Sequence, residues 1–492
     1  MREQLNLALS RQYGATSEVI PDAQLRLFNE AETDTEQAEP PASIEVHSYT
    51  RQRTGRRPLP ESLPRVDVLH DVPEDERVCP HDGQALERIG EDTSEQLDIV
   101  PAKLQVLRHI RAKYACPACE QHVMSASMPA QPIPKSMASP GLLAHVAVSK
   151  YTDALPLYRQ ERIFERMGVS LARASLANWM VKTGELLQPV INLMREELLT
   201  QGVIHADETT VQVLNEPGKS PESTSYMWVQ AGCDPERPIV LFDYDPSRSG
   251  RVPMRLFGEY DGVLVTDGYE GYTAVCRANG IIQAGCWAHG RRRFDEVLKA
   301  SGLNTRKAPK GKPPPKARRA AKALRWMKTL FAIEHAIREH GPQARYEARQ
   351  ARSRPVIDEL RQWLDETLPT VPPNSALGRA LGYLDSQWPR LVRYLDDGRI
   401  EMTNNRAENA IRPFVLGRKN WLFSATTAGA KASANLYSVI ETAKACDLEP
   451  YAYLRHLLTH LPRADCVEDI EALLPYFADK NQLFDLDNGV VR

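Results

Sequence analysis

At Gln201 the sequence changes its period, and that change limits the fold more than any other feature. From there to Phe294 the runs GVIHADETTVQVL, SYMWVQAGC, PIVLFDY, DGVLVTDGYEGY and IIQAGCWAHGRRRF each read as a strand, with turn residues between them. On either side the pattern is helical, from Ser139 to Leu187 before the block and from Ala323 to about Tyr394 after it, with a further helical region ending near DIEALLPYFA. A strand block between helical blocks makes this a multidomain α+β chain, and its 492 residues suffice for roughly three domains. No 20–50-residue repeat is visible. No G-x-x-x-x-G-K-[ST] phosphate loop occurs, and TAGAKAS lacks its spacing.

Three carboxylates stand out against this pattern. Asp207 ends an apolar strand pattern in IHADET, and Asp267 follows the strand Val263 to Val265 in VLVTDGYEGY. Either alone is an ordinary turn residue, since Asp at a strand end or before Gly is common. Glu408 lies in EMTNNRAENAIRPF, a segment that reads as helical, among Asn404, Asn405, Arg406, Asn409 and Arg412. Aspartates from neighbouring strand ends can converge, and a helix carrying the glutamate can pack across them. Three such carboxylates could hold two hard cations about 3.5–4 Å apart, the arrangement used for in-line displacement at phosphorus. Mg²⁺, with Mn²⁺ as a substitute, suits this set because it takes oxygen ligands and keeps several waters. Arg412 lies one turn beyond Glu408 and Asn404 or Asn405 about one turn before it, placed to orient the carboxylate or to contact phosphate. His289 in CWAHGRRRF is a candidate contact to the scissile phosphate, with Arg291, Arg292 and Arg293 on flanking backbone; a structural histidine is the competing reading.

Ahead of the strand block the composition shifts several times. Met1 to Asn29 carries apolar residues at helix-like intervals and reads as the end of a coiled coil. The linker that follows holds RQRTGRRPLP, in which Arg51, Arg53, Arg56 and Arg57 form either a solvated patch or an arm for phosphate or the minor groove. Alternation at Leu104, Gln105 and Val106, followed by CPAC, suggests a short hairpin carrying a knuckle. Cys116 and Cys119 in C-x-x-C, with Cys79 upstream, resemble a zinc ribbon whose fourth ligand is Asp82, His81 or His122. The remaining cysteines are scattered, as expected of reduced thiols in a cytosolic protein. In YRQERIFERMGVSLARASLANWMVKTGELL, Gly168 offers a turn between two helices and Ser170 a cap for the second. That is a helix-turn-helix cadence, with Arg173, Ser175 and Asn178 on the candidate recognition helix; a hairpin that only packs is the alternative. The net charge of −2 gives no bulk sign of a polyanionic partner, so segregated patches such as Arg306 to Arg325 carry that argument, as DNA contacts or as solvated loop.

HADETTVQVL, VTDGYEGY, GCWAHGRRRF and TNNRAENAIRPFVLGRKNWLFS together resemble the transposases of the insertion sequence 66 family. YACPAC, the GRRPLP arm and LEPYAYLRHLLTHLP are similar to it too, so the resemblance extends from the linker to about Pro462. It implies an RNase H-like α/β catalytic core of the DDE type, with Asp207, Asp267 and Glu408 as the triad and a helical insertion between the second aspartate and the glutamate. There is room for one, since 141 positions separate Asp267 from Glu408 against 60 between the aspartates. Two departures are visible: Asp82 stands where the family's upstream C-x-x-C has its second cysteine, and the N-terminal coiled coil is shortened. The expected organisation is a helical segment at 1–30, a basic arm at 31–70, a zinc-ribbon-like module at 71–128 and a helical, helix-turn-helix-like region at 135–198. The core would follow in two parts, 199–295 and 401–445, separated by a basic loop and helical insertion at 296–400, with a C-terminal helical region at 446–492.

The implied activity is cleavage of the element's ends and joining of the freed 3′-hydroxyl to target DNA, with two Mg²⁺ ions in catalysis and Zn²⁺ in a structural role. Partners are double-stranded DNA at element ends and target, further copies of the chain on that DNA, and small accessory proteins of the same element. An RNase H-like nuclease without strand transfer would not need the modules ahead of the core. A non-catalytic DNA-binding derivative would not need all three carboxylates. No run of about 18 apolar residues occurs, and MREQLNLALSRQYGA lacks an apolar core with a cleavage site. The expected location is the bacterial cytosol and nucleoid, with no membrane contact.

Overall fold

The computed structural model describes residues 104–115, 123–301, 315–480 and 483. Arg51, Arg53, Arg56 and Arg57, the knuckle residues Cys79, His81, Asp82, Cys116, Cys119 and His122, and positions 306–314 of the basic segment lie outside them. The chain divides into two units, 39–126 and 1–38 with 127–492. In the smaller, β1 (Lys113–Ala115) pairs antiparallel with β2 (Val123–Ser125). The expected hairpin is therefore present, with the C-x-x-C in the segment between its strands, but pairing starts at Lys113 and not in the alternating run at Leu104.

Among the described residues of the larger unit, four helices come first, α1 (Pro140–Tyr151), α2 (Leu157–Arg166), α3 (Arg173–Leu186) and α4 (Gln188–Thr200). Ser139 caps α1 through its hydroxyl, which accepts from the Leu142 amide. The turn after α2 uses the left-handed conformation that glycine adopts freely, at Gly168 (φ 84°). Ser170 does not cap α3. The Arg173 amide, first in the helix, donates instead to the Glu161 carboxylate of α2 at 2.9 Å.

A six-stranded sheet follows, built from β3 (Val203–Asn215), β4 (Thr224–Gly232), β5 (Val240–Asp245), β6 (Val263–Val265), β7 (Ile282–Ala284) and the late strand β8 (Ser424–Thr426). Its order is β5-β4-β3-β6-β7, with β8 on the far half of β3. Strands β3, β4 and β5 are antiparallel neighbours, whereas β6 runs parallel to both β3 and β7. The interposed helices are α5 (Arg251–Leu256) and α6 (Thr273–Asn279). Two of the strand-like runs are strands only at their start. The fourth stops at Val265 and the fifth at Ala284, after which Trp287, Arg291, Phe294, Val297 and Ala300 are buried at helical spacing on α7 (Trp287–Ala300).

Period-two alternation puts the sheet between two cores. Val203, Val263 and Val265 face one, with α7 and the later helices α8 (Pro315–Ile337), α10 (Arg354–Thr367) and α11 (Ala376–Leu391). Ile204, Ala206 and Leu264 face the other, with α1, α3, α4, α13 (Thr427–Ala445) and α14 (Pro450–His460). Between α8 and α10 lie α9 (Pro342–Ala348) and a π-helical turn, Arg349–Ser353, and α12 (Asn405–Trp421) leads into β8. Arg349 is fully buried. It pairs with Glu334 at 2.7 and 2.9 Å and donates to the Tyr394 and Asp397 carbonyls. The β5 edge is covered by α13, whose Ser438 and Thr442 hydroxyls accept from the Phe242 and Val240 amides.

Candidate active site

Parallel pairing of β3 and β6 sets His205 opposite Val265. Asp207 and Asp267 each lie two residues further along, so the strands deliver two carboxylates side by side. Asp207 Oδ1 accepts from the Glu208 amide at 2.9 Å, and Asp267 Oδ1 from the Tyr269 amide at 2.8 Å. Asp267 is thus both a turn residue and a site residue. The turn needs its glycine, since Gly268 has φ 93° and a Cβ there would come within 2.8 Å of Gln387 Oε1.

Glu408 arrives on the first turn of α12, and Asn404 fixes where that helix starts. Its Nδ2 donates to the Ala206 carbonyl at 2.9 Å, its Oδ1 faces His205 Nδ1 at 3.1 Å, and its amide donates to Cys286 Sγ at 3.2 Å. These bonds fasten α12 to β3 and to the start of α7, so Asn404 positions the helix rather than touching the carboxylate. Asn405 is buried beside it and Arg412 is half-buried one turn beyond Glu408.

Glu408 is 3% exposed, and its Oε1 lies 3.6 Å from His289 Nδ1 on α7. Neither atom has a hydrogen-bond partner. Burial pushes the Glu408 carboxyl up to about 7, against the pull of Arg292 and with added repulsion from Asp267. His289 is pushed down to about 4 by burial and by Arg292, with Asp267 opposing, so it faces Glu408 as a neutral ring. The Asp207 carboxyl is held well above its usual range by burial and by Glu208, Asp267 and Glu408. The three carboxylates therefore share one site and repel one another there.

Sequence reasoning missed several neighbours. Glu208 is buried beside Asp207, accepts from Tyr272 Oη at 2.9 Å and pairs with Arg248 at 2.6 Å; Arg248 also lies over the Tyr269 ring. The paired tyrosines of DGYEGY were the available signal. Tyr383 of α11 donates to the Asp267 carbonyl at 3.1 Å, which brings one of the helices between Asp267 and Glu408 to the site. A cleft of about 270 Å³ opens between α7 and α11, lined by Arg293, Glu296, Arg379 and Tyr383 among others. Arg292 and Arg293 are exposed, but Arg291, expected on DNA backbone, is buried on the inner face of α7. Arg173, Ser175 and Asn178 are exposed along α3.

The residues present fit a divalent cation. A buried carboxylate oxygen of Glu408 without a partner, next to an Asp207 carboxyl surrounded by like charge, lacks the positive counter-charge that a hard cation supplies. Among the described residues, no helix is long and apolar enough to cross a membrane.

The family model described as "Transposase IS66 family" matches residues 135–432 and so contains all three carboxylates. "Zinc-finger binding domain of transposase IS66" matches 76–120, "IS66 C-terminal element" matches 438–476, and "Transposase C of IS166 homeodomain" matches 1–68. Two curated relatives come from Sinorhizobium fredii (strain NBRC 101917 / NGR234). "Uncharacterized protein y4jD" is 36% identical over 85% of this chain and 81% of its own length, and "Uncharacterized protein y4qI" is 32% identical over 94% and 86%. No solved structure matches the chain. With matches that cover each of its regions in order, the chain belongs to the IS66 family of transposases.

Proposed function

We propose that the protein is a DDE transposase that cuts insertion-sequence ends and joins the 3′-hydroxyl to target DNA. One observation carries the reading: Asp207, Asp267 and Glu408, from two parallel strands and one helix, share one site of unbalanced negative charge, in which Glu408 is buried and the aspartates half-buried. The strand order β5-β4-β3-β6-β7, antiparallel on one side of β3 and parallel on the other, supports an RNase H-like core. On this reading 199–295 and 401–445 form the two parts of the core and 296–400 is inserted between them.

Asp207, Asp267 and Glu408 would hold two Mg²⁺ ions, with Mn²⁺ as a substitute. When bound, these supply Lewis-acid polarisation and neutralise charge that develops on the phosphoryl oxygens. The chain's own residues do the rest. Asn404 and the β3–β6 pairing fix the elements that carry the three carboxylates before DNA arrives, which limits reorganisation during reaction. In the first stage water attacks the phosphodiester at the element's end and leaves a 3′-hydroxyl. In the second that hydroxyl attacks a target phosphodiester, one P–O bond forming as another breaks. His289, neutral beside Glu408, is placed to donate a hydrogen bond to a phosphate oxygen. Arg292 and Arg293 on the exposed side of α7 contact flanking backbone, and α2–α3 presents Arg173, Ser175 and Asn178 to element DNA. The match at 76–120 supports structural Zn²⁺ on Cys79, Cys116 and Cys119, with Asp82 or His81 as a fourth ligand within the matched span. Assembly as a homo-oligomer on DNA, a requirement for accessory proteins of the same element, and a place in the bacterial cytosol complete the reading.

The test is Glu408→Gln, which keeps shape and removes charge. Losing about 4 kcal/mol of transition-state stabilisation slows cleavage on the order of 10³-fold. Binding to element-end DNA should persist. Cleavage at the wild-type rate would overturn the assignment. Cleavage without joined products would turn the reading to a nuclease, and binding without cleavage by the wild-type protein to a non-catalytic derivative.

A further inference from the structure

We propose that His205, Cys233 and Glu401 form a second metal site, built for a cation of the zinc type and distinct from the three catalytic carboxylates. The three come from separate segments. His205 is on β3, Cys233 directly follows β4, and Glu401 precedes α12. One imidazole nitrogen, the thiol sulfur and one carboxylate oxygen lie within 4.8 Å of one another.

Hydrogen bonding determines which face of the imidazole is available. Asn404 Nδ2 donates to the Ala206 carbonyl, so the oxygen of that amide is the atom facing His205 Nδ1 at 3.1 Å. An amide oxygen only accepts, so Nδ1 carries the hydrogen and Nε2 keeps a bare lone pair. His205 is fully buried, and its Nε2 has no hydrogen-bond partner. It lies 3.9 Å from Glu401 Oε2, itself an acceptor. Two lone pairs facing each other, one on a fully buried ring and one on a half-buried carboxylate, are matched by a cation between them. This is the arrangement of a metal-binding histidine, one nitrogen fastened by an outer partner and the other directed at the ion.

The donor set selects the ion. Nitrogen, sulfur and carboxylate oxygen together suit Zn²⁺ in tetrahedral coordination, and a thiolate excludes Mg²⁺ as the natural occupant. Two anionic ligands balance the double charge. Arg406 donates to the other carboxylate oxygen, Glu401 Oε1, at 2.5 and 3.0 Å, and also faces the Cys233 sulfur, which it would release to the ion. Its hold on Oε1 orients Oε2 towards His205. The cluster of Cys286, His289 and Glu408 is different, because it shares Glu408 with the catalytic site. A metal on His205, Cys233 and Glu401 would tie the strand that carries Asp207 to the segment that leads into the helix of Glu408, across the whole length of the insertion.

The experiment uses the full chain, purified without chelators, loaded with Zn²⁺ or Co²⁺ and desalted. Metal content is measured for wild type, Cys233→Ser, Cys116→Ser and the double variant. Cys233→Ser should bind about one zinc per chain fewer than wild type, and the double variant about one fewer than Cys116→Ser. With Co²⁺, a thiolate charge-transfer band should persist in Cys116→Ser and vanish in the double variant. Zn²⁺ should raise the melting temperature of wild type more than that of Cys233→Ser. Glu401→Gln, which retains volume and all cysteines, should weaken the affinity at least about 10-fold, and it serves as the test should Cys233→Ser not fold. Equal metal content in wild type and Cys233→Ser, or no cobalt band in Cys116→Ser, would overturn the proposal and leave the Cys233 thiol as a hydrogen-bond donor to His205. None of these readouts depends on DNA cleavage.

Discussion

Glu408 is kept protonation-prone by its surroundings, and that has a measurable thermodynamic sign. Its carboxyl stands at about 7 in the fold against 4.5 for an unperturbed glutamate. The folded state therefore binds this proton more tightly than the unfolded state does. The contribution favours folding below about pH 4.5 and is lost as pH rises through 7, amounting to at most about 3 kcal/mol. Metal-free Glu408→Gln is thus expected to melt higher than wild type at pH 8 and no higher near pH 4.5, and Mg²⁺ should remove the difference at pH 8 by stabilising wild type alone. Melting curves with and without chelator check this; a lower melting temperature for the variant at pH 8 would mean that the charge is already compensated within the protein. At this scale the sequence was most informative where chemistry is local. Asp267 draws attention because it follows an apolar strand, Asp207 because it follows the apolar start of β3, which in the fold runs on through it to Asn215, and Glu408 because its helix is crowded with Asn and Arg. The partners of His205 could not, since Asn404 and Glu401 lie almost two hundred positions away and only the β3–α12 contact brings them together.

Among the elements, the π-helical turn at Arg349 ties α8 to the segment that follows α11. Its guanidinium is enclosed by Glu334 and two carbonyls, with no exposure of its own. Arg349→Met would leave Glu334 without its closest partner and remove a donor from the Tyr394 and Asp397 carbonyls, at a cost of about 3–5 kcal/mol. Urea unfolding followed by tryptophan fluorescence, with Trp326 and Trp363 in the same core, is the measurement; an unchanged midpoint would show that Arg345 takes over the pairing. The same part of the chain shows how element boundaries escape a sequence reading. Trp287, Arg291, Phe294 and Val297 carried a helical period, but the strand-like IIQAG ahead of them drew the whole run into one strand. The three-residue β8 has no period to detect, because its pairing depends on the far end of β3. The cap of α3 comes from Glu161 twelve residues upstream, beyond the local signature by which Ser170 was chosen.

For the whole molecule, the near-neutral charge means that DNA affinity has to come from local patches. Replacing Arg173, Arg292 and Arg293 with Gln is expected to reduce the slope of log K against log salt by about 0.9 for each phosphate contact removed, with similar losses on specific and random DNA. Titrations at several salt concentrations would test this, and an unchanged slope would return these arginines to solvated surface. The insertion between Asp267 and Glu408 also has a consequence in time. A ribosome that has finished the second aspartate must add 141 more residues before it reaches the glutamate, roughly 7–28 s at bacterial rates. On the proposed assignment, a nascent chain can fold its first strands and even touch nucleic acid during that interval without being able to cut it. A nonsense codon anywhere in the insertion leaves a fragment with two of its three carboxylates. On that assignment the arrangement withholds a chromosome-damaging reaction from every copy that stops short of Glu408.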